Sequence, residues 1–164
     1  MALPPTPSWE CWRSGRTQGP LIGGLLNRLV LTQATRYALP LERFDGAVLF
    51  WEEMGGQAAH VWSYLQVLRH SGILDRISGM VVGIPTAIDG LGSPDASPTL
   101  PEMVLDVLGE RDIPVLGNVE CGHAGPNLPM PLGVRVRLDA QQRTLSLLEP
   151  AVRGAVQEVS GPAA

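Results

Sequence analysis

Hydrophobic positions fall along the chain in two rhythms. Gly46 to Trp51 is an unbroken apolar run of strand length, as is Gly79 to Ile84, and Ile113 to Gly117 is a third. Runs of that length without alternation are the pattern of strands covered on both faces. Between the first two, Ala58, Val61, Trp62, Leu65 and Leu68 recur at three- and four-residue steps after Gly55-Gly56, and Gly72 offers a stop, which predicts a helix to Arg69. Between the second and third, Leu100 to Glu110 reads as a helix with Met103, Val104, Val107 and Leu108 inward. A loop rich in Gly, Ser, Asp and Pro, from Pro85 to Pro98, precedes it. Upstream, the run from Leu21 to Leu31, opened by Gly19-Pro20, predicts a short buried helix. Near the other end, Val134 to Leu138 alternates apolar and charged residues, Gln141-Gln142 turns the chain, and Thr144 to Leu148 returns, which predicts a β-hairpin.

Strand, helix, strand, helix, strand implies an α/β fold: a mainly parallel sheet with helical crossovers and a C-terminal β-hairpin. Residues 1–8, with three prolines and no period, are expected to form a flexible arm, residues 9–150 one domain, and 151–164 a tail. A length of 164 residues suits one such domain. Hydrophobic residues make up 45% and charged residues 17%, which excludes disorder of the highly charged, weakly hydrophobic kind.

Twelve basic against sixteen acidic residues, net −4, argue against a nucleic-acid or anionic-membrane partner. All twelve basic residues are Arg, a composition we read as codon habit. Cys11 and Cys121 form no disulfide framework and no C-x-x-C metal pair, and two free thiols fit a reducing, cytoplasmic setting. No apolar stretch approaches the roughly 20 residues of a membrane span, and the first residues lack the basic and apolar regions of a signal peptide.

Ligands of parallel sheets gather at the carboxyl ends of the strands. Glu52 and Glu53 directly follow the first buried strand, and His123 lies a few residues beyond the third, in Cys121-Gly122-His123. Parallel strands would open both loops on one edge of the sheet, so that Glu52 and His123 meet across the sequence. A carboxylate on a histidine's Nδ1–H fixes the tautomer, stabilises the imidazolium and leaves Nε2 to take a proton from a nucleophile. Pro126, Pro129 and Pro131 would stiffen the loop around His123. Solvated loop residues are the plainer explanation of the same acids and histidine. His60 and His70 are expected to face solvent, and Gly90 to Ser93 reads as a turn rather than a phosphate cradle. No Walker A, G-x-G-x-x-G or H-E-x-x-H pattern occurs, so no cofactor or metal is expected. None of the nine serines sits in a G-x-S-x-G elbow, and Cys121 is the weaker candidate nucleophile.

Eight segments in order, Trp9 with Gly19 to Gly24, Asp45 to Glu53, Leu74 to Gly83, Ile113 to Leu116, Gly122 to Asn127, Pro131 to Gly133, Leu138 to Ala140 and Leu147 to Glu149, carry a resemblance. Together they resemble the C-terminal domain of the LD-carboxypeptidases, over residues 9–149. That family of serine peptidases includes muramoyl-tetrapeptide carboxypeptidase and the microcin C immunity peptidase. The resemblance implies a swivelling β/β/α fold and a Ser-Glu-His triad with Glu52 as its acid and His123 as its base. It implies that the serine lies on an N-terminal domain absent from this sequence, leaving the isolated chain inactive. It further implies a murein-type or related peptide substrate cut at an L,D bond, a homodimer and a cytoplasmic setting. Leu25 stands where the family usually has Asn, and Glu53 where Asp is common. A non-catalytic binding or interaction module that keeps the fold is the alternative.

Overall fold

In the computed structural model, which describes residues 9–91, 98–125 and 127–152, the central strands sit where the apolar runs lie. These are β3 (Val48–Glu52), β4 (Gly79–Gly83) and β5 (Val115–Val119). They are parallel to one another and to the second half of β2 (Arg16–Leu25). Strand β1 (Glu10–Arg13) adds antiparallel to β5, and the hairpin β6 (Arg135–Asp139) and β7 (Thr144–Leu147) adds antiparallel to β2. The strand order is β1-β5-β4-β3-β2-β6-β7.

Because β2, β3, β4 and β5 are laid down in one direction across the sheet, crossovers of one hand put their helices on one face. Helices α1 (Leu26–Thr32), α2 (Ala58–His70), α3 (Ile73–Arg76) and α4 (Leu100–Leu108) fill the connections. Alternate residues of the strands sort to the two faces. Leu49, Trp51, Met80, Val82 and Val115 join the core beneath the helices, with Val61, Leu65, Leu68, Val104 and Val107. Val48, Phe50, Val81 and Leu116 join a second core with Val136 and Leu138 of the hairpin. The sheet therefore curls until its own hairpin covers the face the helices leave bare. That cover on both sides is why the central strands read as continuous apolar runs.

The expected helix over residues 21–31 is half strand. Residues up to Leu25 belong to β2, and the helix begins at Leu26. A short apolar run does not separate the two states by periodicity. Here pairing decides, because Leu21 to Leu25 align with Val48 to Glu52. Gly23 lies so close to the Phe50 carbonyl oxygen that a Cβ would stand 1.7 Å from it, a packing only glycine allows. Pro20, without an N–H, sits where β2 leaves β6 and turns to β3.

The hairpin, α2 and α4 form as the patterns predict, while β1 and the single turn α3 carried no periodic signal. Pro126, Gly92, Ser93, the arm 1–8 and all of the tail beyond Val152 lie outside the described residues. No helix among the described residues is long and apolar enough to cross a membrane.

Candidate active site

Glu52 ends β3, and the loop carrying His123 follows β5, so both open at the carboxyl edge of the sheet with β4 between them. The His123 ring donates its Nδ1–H to Glu52 Oε2 at 3.0 Å, across 71 residues of sequence. The carboxylate is buried, with a side chain 7% exposed, whereas the histidine side chain is 43% exposed. An ionised carboxylate only accepts hydrogen bonds. Its neighbour therefore places the proton on Nδ1 and leaves Nε2 as the ring atom open to proton transfer.

Missing side chains make this approach possible. Gly83 ends β4, and a Cβ there would stand 2.7 Å from both the Glu52 Cβ and the Cys121 carbonyl oxygen. Gly122 has φ +107, and a Cβ on it would stand 2.4 Å from Glu52 Oε2. Both positions are glycine because the acid fills the space a side chain would take. The strand end is also re-aimed. Val81 pairs with Leu116 but Gly83 with Val119, so β5 carries one extra residue, and Asn118 adopts φ 55. Such bulges bend the strand they interrupt. Only Asn118, a residue type that tolerates the left-handed region, hints at this bulge in the amino-acid order.

The two adjacent acids part company. Glu53 accepts from the Asn27 backbone N–H at 2.8 Å, from Asn27 Nδ2 at 3.1 Å and from the Met54 N–H at 3.0 Å. It thereby caps the first turn of α1, whose own N-cap Leu25 has no side-chain oxygen to offer. Glu53 is a fastening between α1 and β3, and Glu52 alone meets the histidine.

Beside the pair opens a cavity of about 340 Å³ lined by Gly24, Leu25, Phe50, Leu128, Pro129 and Met130 together with Glu52 and Cys121. Asn127 lines it too and accepts the Gly122 N–H at 3.1 Å, a loop contact that position alone did not reveal. Cys121 is fully buried. Burial, then the Glu52 and Glu120 charges, push its thiol up to about 12, so it stays protonated and is a poor nucleophile. His60 and His70 lie exposed on α2, apart from the site. Among the described residues no group of His, Cys, Asp and Glu could hold a metal.

Residues 18–138 match the family described as the LD-carboxypeptidase C-terminal domain. The chain belongs to this family. As a member of the LD-carboxypeptidase C-terminal domain family it is 31% identical, over 83% of its length and 38% of the relative's, to the microcin C7 self-immunity protein MccF of Escherichia coli. The chain spans about two fifths of the length of the curated relatives it matches. Its fold superimposes with a TM-score of 0.77 on MccF in an inactive mutant apo state, at 27% identity, covering 88% of this chain and 42% of that one. The same values hold for MccF in complex with glutamyl sulfamoyl guanosine.

Proposed function

We propose that this chain supplies the acid–base half of a serine-type LD-carboxypeptidase site, with His123 as general base and then general acid and Glu52 as its orienting acid. The 3.0 Å contact between a buried carboxylate and a half-exposed imidazole at the sheet's carboxyl edge carries the reading. The nucleophilic serine and the oxyanion donors would come from an N-terminal domain like the portion of the relatives that this chain does not span. In that arrangement Nε2 takes the serine proton as the hydroxyl attacks the amide carbonyl. The same proton then passes to the departing amine, and water hydrolyses the acyl-enzyme by the reverse relay. Glu52 accepts the Nδ1–H throughout and stabilises the imidazolium.

The substrate in this reading is a murein-type peptide or a related amide cut at an L,D bond. Leu25, Phe50, Leu128 and Met130 would give the groups beside the scissile bond an apolar wall. A cytoplasmic homodimer belongs to the same proposal.

The test mixes the chain with a separately expressed serine-bearing domain from a relative and follows release of the terminal residue from a murein tetrapeptide. The chain alone is expected to be inert and the mixture active. His123→Ala should lower the mixture's kcat by ~10²–10⁴, the usual contribution of a general base. Hydrolysis by the isolated chain would overturn the assignment of the serine elsewhere. Tight peptide binding by a mixture that never turns over would favour the non-catalytic module instead.

A further inference from the structure

The ring of His123 has one side-chain hydrogen-bond partner among the described residues, Glu52, and its side chain is 43% exposed. With one side-chain hydrogen bond on the ring, its position depends on the loop that carries it. That loop is pinned at its base by Glu120, whose carbonyl oxygen accepts the Leu128 N–H at 2.6 Å and closes the intervening residues into a ring. The side chain of the same residue is held from a distant part of the chain. The indole Nε1–H of Trp9 donates to Glu120 Oε2 at 2.9 Å, across 111 residues. Trp9 and Met130 each pack against the core that contains Val119 and Cys121, the residues flanking Glu120. Trp9 immediately precedes β1, whose Glu10 pairs with Gly117 in the middle of β5. The chain therefore enters this domain against the strand that leads to the histidine.

We propose that Trp9 is a positioning residue for His123, coupling the segment by which the chain enters the domain to the loop that presents the base. The N–H···carboxylate bond is charge-assisted, and so stronger and more directional than a neutral one. It sets Glu120, and through Glu120 the loop, three residues from the imidazole. A bare packing role would require the Trp9 ring but not its N–H. The proposal rests on the reading of His123 as the base, yet its test reads ring placement rather than hydrolysis, so the two can fail separately.

The full 164-residue chain with ¹⁵N-labelled histidine is compared with Trp9→Phe, which keeps an aromatic ring and loses the donor. Ring ¹⁵N shifts of neutral His123, assigned by His123→Ala, report the share of the Nδ1–H tautomer that Glu52 enforces. In Trp9→Phe that share is expected to fall by at least half, while amide shifts in the centres of β3 and β4 stay in place. Glu120→Leu should do the same, and Glu120→Gln, which keeps an acceptor oxygen, should restore most of it. An unchanged tautomer share in Trp9→Phe overturns the proposal, and so do shifts that move throughout the sheet in step with it. Should Trp9→Phe not fold, the Glu120→Leu and Glu120→Gln pair decides: equal tautomer shares in the two overturn it.

Discussion

Two glycines and two glutamates account for most of the site. Glu52 and Glu53 are chemically alike and adjacent, yet one is committed to three donors around the start of α1 and the other to an imidazole. Strand alternation makes the difference, since neighbouring residues at a strand end leave on opposite sides. Gly122 matters as much as the acid it touches. Alanine there must adopt φ +107, which L side chains avoid, and its methyl would overlap the Glu52 carboxylate. Gly122→Ala is therefore expected to displace the Glu52 carboxylate and break the Glu52–His123 contact while changing neither residue. In the reconstituted hydrolysis its rate should fall by about 10²-fold or more, comparable with Glu52→Gln. Wild-type turnover in Gly122→Ala would mean that the contact has no part in the chemistry. The pairing of Glu52 with His123 was legible because strand ends and loop lengths bring them to one edge. The roles of Gly83, Gly122 and Asn127 were not, because a glycine's purpose depends on what fills the space beside it.

Elements that formed as expected are those with redundant signals. Helix α4 has an inward stripe, a proline in its first turn and a capping box. Thr99 accepts the Glu102 N–H, and the Glu102 carboxylate accepts from both the Thr99 N–H and its hydroxyl. Those hydrogen bonds from Thr99 hold the Glu102 carboxyl below its ordinary 4.5. Their stabilisation is therefore present above pH 4.5 and lost as the pH falls and Glu102 takes up its proton. Thr99→Ala should cost about 1 kcal/mol in urea denaturation at neutral pH, the usual loss of an N-cap. It should also remove the hydroxyl's smaller part of the acid sensitivity, since alanine keeps the N–H that makes the larger part, and an unchanged midpoint would show that the cap carries no stability. The segment from Leu21 to Leu31 had no such redundancy. Its apolar residues fit either state, and only the partner strand β3 decides where strand yields to helix. Strand β1 was unreadable for a related reason, since the four residues Glu10 to Arg13 are too few to show a period and do not alternate.

At the scale of the molecule, the mainly parallel α/β sheet followed from the order of elements, but the curl that lays β6 and β7 over the far face did not. That curl depends on β2 serving two partners along its length, a long-range arrangement without a local trace. The second core it creates encloses Cys121 and gives global stability an alkaline limit. The folded thiol ionises only near pH 12, whereas an unfolded one ionises from about pH 9.0. Stability is thus fully present below pH 9.0 and drains away as the pH climbs toward 12. Denaturant midpoints should fall more steeply over that window in the wild type than in Cys121→Ala. Parallel slopes would show that the thiol is not shielded.

The double pairing of β2 also has a consequence in time. On the ribosome, Arg16 to Pro20 emerge early but have no β6 to join until Arg135 to Asp139 are made, and Glu10 to Arg13 likewise wait for β5. Contacts so distant in sequence are slow to close. The first dozen described residues, Trp9 among them, are thus the last to be locked. A nascent chain can hold a finished helical layer well before its histidine has been brought to bear.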